Sequence, residues 1–245
     1  MKYYDMHEDV YKDLNAKGKV SWDGESEVSE ILNHEINQSI DKYLSKYYPH
    51  CQDMVAVDLG TGTGTCALYL SKQGFEVTGY DLSETAISMA IQNNLKLGLN
   101  AKFFVKDITT LEISKSIDLI TDSSLLHCLV LDQDRKNFFL NARKMLSNDG
   151  HLFIHTMIES KDMSEITNRN YLLLKDTVLW SEGKDSWEMD WQYIEGRKVF
   201  PHRRILTETL LEEEIIENGF DILEKEIMSN GKNPDTYTGL LKKKD

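Results

Sequence analysis

The fold is indicated most clearly by one stretch of sequence, Val55-Ala-Val-Asp58-Leu-Gly60-Thr-Gly62-Thr-Gly64. Its apolar start predicts a buried strand, and its glycines predict a tight turn into a helix where a ligand approaches the backbone. A dinucleotide-binding loop has the spacing G-x-G-x-x-G, whereas the third glycine here comes one position early. Asp58 would also repel a pyrophosphate. The loop therefore favours a ligand whose ammonium group meets Asp58 and whose carboxylate lies over N–H groups at the helix start.

Strand and helix patterns alternate from this loop to residue 156. Helices are predicted at 66–73, 83–97 and 134–146, and strands at 54–58, 76–80, 102–106, 117–121 and 151–156. Such alternation requires right-handed crossovers, which produce a parallel sheet with helices on both faces. We therefore expect an α/β protein with a doubly wound sheet.

The flanking segments complete this expectation of a single domain over residues 1–245. Apolar residues at three- and four-residue steps predict one helix over 25–48, and a helix over 207–218 precedes two strands joined too closely for a helical crossover. In residues 157–205 the apolar residues follow no regular spacing. The expected parts are an N-terminal lid and helix (1–48), a cofactor-binding core (53–156), a substrate-cap insertion (157–205), and a last helix with a β-hairpin (206–245).

Carboxylates follow the predicted strands at the edge where ligands bind in this architecture. Asp81 ends the second strand, where it can accept both hydroxyls of a ribose, and Asp107 ends the third, where it can accept from the amine of adenine. Asp122 ends the fourth. With Asp58 they describe a ligand that has an amino-acid end, a ribose and an adenine. For Asp122 a turn or capping role remains the alternative.

Five segments together resemble the motifs of class I S-adenosylmethionine-dependent methyltransferases, in a small-molecule branch near the ubiquinone-biosynthesis type. They are 57–64, 80–83, 105–108, 118–127 and 145–152, with Asp149-Gly150 in place of the usual Gly-Gly. The resemblance is clear over residues 53–156. It implies a seven-stranded sheet with an antiparallel last strand, S-adenosyl-L-methionine as cofactor, S-adenosyl-L-homocysteine as product, and no metal. The candidate cofactor-binding residues are Asp58, Gly60, Thr61, Gly62, Gly64, Asp81, Leu82, Asp107, Ile108, Asp122 and Trp22.

Two residues are candidates for a catalytic role. His127 follows the fourth strand, and a histidine can take a proton near neutral pH. The alternative is that His127 packs under the next helix. Tyr4 belongs to an N-terminal aromatic segment, with Tyr3, Tyr11 and Trp22, that would close over the cofactor and exclude water. Ordinary packing against the first helix is the alternative for this segment.

The candidate substrate residues lie towards the end of the insertion. Trp180 and Trp187 would shape a pocket or hold a cation, or else form the insertion's own small core. Arg203 and Arg204 would bind an acidic acceptor, or else remain solvated and pair with nearby glutamates. The run 212–214, three glutamates, is predicted to be a solvated helix face.

Composition limits the partners and the compartment. Among the 245 residues, 28 basic and 41 acidic side chains give a net charge of −13, which disfavours nucleic acid and anionic lipid. No apolar run reaches the roughly 18 residues of a membrane helix, and the polar start is unlike a signal peptide. Three scattered cysteines form neither a disulfide framework nor a zinc knuckle. We expect a cytoplasmic protein, monomeric or homodimeric, whose partner is a small molecule.

Other functions remain open at this point. The protein would transfer methyl to an oxygen, nitrogen or sulfur nucleophile, because this architecture serves all of them. The alternatives are other group-transfer chemistry with the same cofactor and a non-catalytic partner subunit. A nicotinamide oxidoreductase is disfavoured by the loop spacing. A nucleic-acid methyltransferase is disfavoured by charge and by the sequence Asp122-Ser-Ser-Leu, where an Asn-Pro-Pro-Tyr type motif would stand.

Overall fold

A computed structural model describes residues 3–111, 113, 116–163, 171–183 and 191–244. The helices are α1 (His7–Ala16), α2 (Val28–Ile31), α3 (Glu35–Tyr47), α4 (Thr65–Gln73), α5 (Glu84–Leu97), α6 (Asp132–Met145) and α7 (Glu208–Glu217). The strands are β1 (Val55–Leu59), β2 (Glu76–Asp81), β3 (Lys102–Val105), β4 (Ile117–Ser123), β5 (Leu146–Ile158), β6 (Tyr171–Lys175), β7 (Val178–Ser181), β8 (Gln192–Ile194), β9 (Arg197–Arg204), β10 (Phe220–Met228) and β11 (Asp235–Lys243). A 3₁₀ turn spans Leu126–Cys128.

Seven strands form the central sheet in the order β10-β11-β5-β4-β1-β2-β3. The strands from β1 to β5 pair in parallel, while β11 pairs antiparallel with both β5 and β10. The predicted fold class is thereby confirmed. The strand order reverses at β1, which has β2 on one side and β4 on the other, and ligands bind at such a switch point in open α/β sheets. The glycine loop leaves the sheet there.

Both faces of this sheet are covered by apolar packing. Val57 and Ile120 belong to a core that includes Phe138 of α6, whereas the adjacent Ala56 and Leu119 belong to a core on the other face. Successive side chains of a strand point to opposite faces, so a strand buried on both faces is an unbroken apolar run. This explains why the central strands were recognisable from sequence.

The insertion after β5 contains a second, antiparallel sheet in the order β6-β7-β9-β8, which the sequence pattern did not predict. Its two hairpins turn through Asp176-Thr177 and Glu195-Gly196, and all four of these residues have positive φ. Two-residue turns of this kind match the twist of the flanking strands. Three of the four residues are not glycine, so the usual sequence signal for such turns is weak.

The single helix predicted over 25–48 is wrong, because α2 and α3 are separated by residues 32–34. The ring nitrogen Nδ1 of His34 accepts a hydrogen bond from the backbone N–H of Ile36 and caps α3. Glu27 and Glu30 form a capping box at α2. The regular spacing of apolar residues continues from α2 into α3 because each of these helices buries one face.

The predicted solvated face at 212–214 is wrong for one of its members. The Glu214 carboxylate forms a two-pronged ion pair with Arg135 of α6, with both nitrogen–oxygen distances 2.6 Å. Only Glu213 of the run is exposed. The acidic run therefore contributes a structural contact between α6 and α7.

Over the residues that the structure describes, none of the helices is both long and apolar enough to cross a membrane.

Candidate active site

A cavity of about 720 Å³ opens at the carboxyl ends of the central strands. Its walls come from the glycine loop, from the residues that follow β2, β3 and β4, from the end of β5 and from β9, and the N-terminal segment lies across it. The lining includes Tyr4, His7, Glu8, Tyr11, Trp22, Gly60, Thr61, Gly62, Asp81, Leu82, Asp107, Ile108, His127, His155 and Arg203. One space thus collects most of the predicted site residues.

The glycine loop is tied to the end of β2. Gly60 and Thr61 donate their backbone N–H groups to the Tyr80 carbonyl at 2.8 and 2.9 Å, and Gly62 donates to Asp81 at 2.8 Å. These three N–H groups are therefore used within the fold. A Cβ atom on Gly62, whose φ is +54°, would lie 2.6 Å from the Tyr11 hydroxyl oxygen. The loop surface has to remain bare where α1 covers it.

The Asp81 carboxylate lies between the loop and α5. Its two oxygens accept the N–H groups of Gly62 and Ser83, at 2.8 and 2.9 Å. Burial, with a smaller contribution from the nearby Asp58 charge, raises the pKa of Asp81 to about 6. Asp81 also lines the cavity beside Leu82, and its contact with the ribose of a ligand stays a prediction.

Asp107 and Ile108 line the same cavity past the end of β3. One Asp107 oxygen accepts from the Thr109 backbone and hydroxyl, at 3.0 and 2.7 Å. The other accepts from the Tyr4 hydroxyl at 3.1 Å. Tyr4, a candidate catalytic residue, therefore lies at the end of the cavity where the adenine was predicted.

Asp58 and Asp122 lie beneath the cavity and are absent from its described lining. Asp58 accepts from the hydroxyls of Thr121 and Ser123, both at 2.7 Å. Asp122 accepts the backbone N–H groups of residues 125 and 126 at 2.7 and 3.0 Å, and so caps the 3₁₀ turn. Burial raises the pKa of Asp122 to about 7. The turn-capping alternative is thus the arrangement found for Asp122.

Gly64 also lies outside the described lining, at the start of α4. Its φ is +91°, and a Cβ atom there would come within 3.2 to 3.3 Å of Leu68, Phe103 and Ala90. The third glycine of the loop therefore serves the packing of helix against sheet, while the first two face the cavity.

His127 is buried at the cavity wall. The backbone N–H of Met157 donates to its Nδ1 atom at 3.2 Å, and the Thr156 hydroxyl lies at the same distance. An accepting Nδ1 places the ring proton on Nε2. Burial, with the Arg203 charge nearby, holds the pKa of His127 well below its usual value. The geometry favours a neutral ring that donates a hydrogen bond over a ring that takes up a proton.

The candidate substrate residues separate into two groups. Arg203 lines the cavity and is buried. Trp180 packs against the main core, and Arg204 pairs with Asp132 at 3.1 Å; neither belongs to the described lining. Trp187 lies outside the described residues.

The N-terminal segment is fastened across the cavity by residues that the sequence analysis missed. Glu8 of α1 accepts from the hydroxyls of Ser83 and Thr85 and from the Thr85 backbone N–H, at the start of α5. His7 receives a hydrogen bond from Arg203 at 2.8 Å. A single acidic residue in an unpatterned segment carries no local signal of a partner 75 positions away.

Replacing Glu8 with glutamine is expected to loosen α1. The amide loses the charge that strengthens three hydrogen bonds, so amide hydrogen exchange over residues 7–16 should quicken by about tenfold. Exchange measured by mass spectrometry checks this. Asp13→Asn, which removes an exposed charge on the same helix, is the matched control. Equal exchange in the two variants would show that Glu8 does not fasten the segment.

Comparison with known proteins identifies the central part of the chain. Residues 56–150 match the model of a family described as a methyltransferase domain. Over these residues the chain carries a methyltransferase domain. The resemblance predicted from the sequence is thereby confirmed.

Two relatives and one solved structure show what this methyltransferase domain is similar to. A Geobacillus sp. methyltransferase is 35% identical over 99 residues, 39% of each chain. A ubiquinone biosynthesis O-methyltransferase of Rickettsia bellii is 30% identical over 152 residues, 58% of this chain and 59% of the relative. The chain therefore spans about two fifths to three fifths of these relatives' lengths. The crystal structure of an S-adenosylmethionine-dependent methyltransferase from Clostridium acetobutylicum has a TM-score of 0.64 at 22% identity, covering 85% of this chain and 90% of that one.

The expected exclusion of nucleic acid is not supported by these comparisons. Curated relatives of the methyltransferase domain also include proteins named as rRNA and tRNA methyltransferases. The class of acceptor therefore rests on the residues of this chain.

Proposed function

We propose that this protein transfers a methyl group from S-adenosylmethionine to a small-molecule acceptor. The observation that carries the proposal is that one cavity, at the switch point of the sheet, holds two groups of residues. One end holds the bare glycine loop with Asp81 and Asp107, and the other holds His127 and Arg203 beside the end of β4. A cofactor and an acceptor would meet between these two ends.

The residues of the first end fit the cofactor. Asp81 would accept the ribose hydroxyls, Asp107 would accept from the adenine amine, and Leu82 and Ile108 would contact the adenine ring. The glycines at 60 and 62 allow close approach of the backbone. When bound, S-adenosylmethionine supplies a methyl group on a positively charged sulfur, which is already an activated electrophile.

The chain's own contribution is then alignment and exclusion of water. Positioning a nucleophile in line with the methyl group removes most of the entropic barrier. The N-terminal segment, through Tyr4, His7 and Tyr11, would cover the reacting groups and keep water out. The Nε2–H of His127 would orient the acceptor by a hydrogen bond.

A small acceptor is favoured over a nucleic acid by charge and by access. The net charge of −13 repels a phosphate backbone. The N-terminal segment lies across the cavity, which suits a ligand that can be enclosed. The relative named for ubiquinone biosynthesis supports the same class of acceptor.

The test is a mass-shift screen. The purified protein is incubated with S-adenosylmethionine carrying a deuterated methyl group and with a small-molecule extract, and products heavier by one labelled methyl are sought. A labelled small molecule is the expected result. Binding of S-adenosylhomocysteine without any labelled product would favour the non-catalytic alternative. Absence of binding would contradict the cofactor assignment.

The affinity for S-adenosylhomocysteine is expected to fall with acidification. The pKa of Asp81 is raised to about 6, and only its ionised form accepts both ribose hydroxyls. Affinity should therefore be full above about pH 7 and weaken by about tenfold near pH 5. Titration calorimetry across this range checks the slope. Asp81→Asn should bind more weakly with a flat profile, and a variant that kept the slope would assign it to another group.

A further inference from the structure

Arg203 is a buried cation in the wall of the cavity. The residue is 5% exposed and belongs to β9. Its Nη1 donates to His7 at 2.8 Å, and to the His202 ring and carbonyl at 3.3 and 3.0 Å. Its Nε has no hydrogen-bond partner. Among the residues the structure describes, none of the contacts of Arg203 is to a carboxylate.

Two other arginines show how the fold usually treats such a charge. Arg135, also buried, is met by both oxygens of Glu214, and the adjacent Arg204 is met by Asp132. The chain holds 41 acidic residues, so partners are abundant. A buried charge without a counter-ion is strongly destabilising. The Arg203 guanidinium has no carboxylate among its described contacts and lies at a cavity wall, so it is suited to bind an anion that enters from solvent.

The surroundings of Arg203 add no second charge. His7 accepts from Arg203 through Nε2 while its Nδ1 donates to the Tyr4 carbonyl at 2.8 Å, which makes the ring neutral. His127 is neutral for the corresponding reason. Lys12 and Lys106, which also line the cavity, are exposed. Among the residues that the structure describes, the buried end of the cavity therefore offers one positive charge, which one carboxylate neutralises with a matching fork geometry.

The position of Arg203 assigns it to the acceptor. Its strand, β9, packs against the 3₁₀ turn that follows β4. The residues proposed for ribose and adenine stand on the other side of β1, after β2 and β3. We propose that Arg203 binds a carboxylate of the methyl acceptor, so that the substrates of this enzyme are small carboxylic acids. This inference rests on the proposed function.

The test is calorimetry in two stages on the full chain. S-adenosylhomocysteine is titrated first, and the saturated protein is then titrated with benzoate and with benzamide, which differ in charge but hardly in shape. Benzoate is expected to bind at least about tenfold more tightly than benzamide. Arg203→Met should abolish that difference and leave the affinity for S-adenosylhomocysteine unchanged. Arg197→Met, which removes an exposed charge from the same strand, should retain the difference.

The outcomes separate the two proposals. Failure of the wild-type protein to bind S-adenosylhomocysteine would contradict the proposed function. Binding of that ligand with no preference for benzoate, or with no binding of either probe at about 50 mM, would overturn the carboxylate site. A parallel loss of S-adenosylhomocysteine affinity in folded Arg203→Met and Arg203→Gln would assign the guanidinium to the cofactor instead.

Discussion

Replacing Glu214 with alanine is expected to lower the free energy of unfolding by about 3 kcal/mol. The side chains of Arg135 and Glu214 are only 3% and 20% exposed, and two hydrogen bonds of 2.6 Å join them. Removing the carboxylate leaves the guanidinium buried without its counter-ion. That penalty exceeds the modest net stabilisation from the pair itself, because the charge keeps its desolvation cost and loses its compensation.

Urea unfolding followed by circular dichroism measures this effect. Glu213→Ala is the matched control, since Glu213 is the exposed neighbour on α7 and its loss should change stability by less than about 0.5 kcal/mol. The double variant Arg135→Met, Glu214→Leu should recover much of the lost stability, because it removes both charges together. A loss below about 1 kcal/mol for Glu214→Ala would show that water replaces the carboxylate.

Replacing Asp81 with alanine is expected to weaken S-adenosylhomocysteine binding by at least about 100-fold. Two hydrogen bonds from ribose hydroxyls to a charged acceptor contribute about 1.5 kcal/mol or more each, and about 2.7 kcal/mol corresponds to 100-fold. The carboxylate lies half-buried at the cavity wall, where the lost bonds are poorly replaced by water. Calorimetric titration of the two proteins gives the ratio directly.

The same carboxylate also holds the loop, so the variants need to separate the two roles. Asp81 accepts the N–H groups of Gly62 and Ser83, and alanine removes both acceptors. Asp81→Asn retains the shape and an acceptor oxygen, and it should bind with an intermediate affinity. Asp149→Ala, at a fully exposed aspartate near the start of β5, should bind as the parent does. Unchanged affinity in Asp81→Ala would remove Asp81 from the proposed ribose site.

The central sheet, and the residues at one end of the cavity, could be predicted from the sequence. Apolar runs predicted the buried strands, and the glycine loop with Asp81 and Asp107 predicted where a ligand would lie. These features are local, because a few adjacent residues determine where a strand ends, where the chain turns and where a helix starts. The parallel arrangement of β1 to β5 then brings the carboxyl ends of these strands to one edge of the sheet. Local signals and known topology were therefore enough to predict that the loop, Asp81 and Asp107 border one space, while their contact with a ligand stays a prediction.

Roles that depend on distant partners could be recognised only in the folded structure. Asp58 and Asp122 lie beneath the cavity instead of lining it, and Glu214 meets an arginine 79 positions away. No local pattern encodes such pairs, because burial and charge compensation are set when separate elements pack together. The β-sheet of the insertion escaped prediction for a related reason, since its hairpin turns at 176–177 and 195–196 use mostly residues other than glycine.

The adjacent arginines at the end of β9 show most simply which properties are local and which depend on the whole fold. The sequence pattern offered the same two alternatives for Arg203 and Arg204 and predicted no strand there. Because neighbouring residues of a strand point to opposite faces, their surroundings differ once β9 forms. Which face borders the cavity depends on how β9 packs against the 3₁₀ turn, and on a contact with His7, 196 positions away in sequence. The alternation of the strand is a property of its backbone, whereas the environment of each guanidinium is a property of the whole fold.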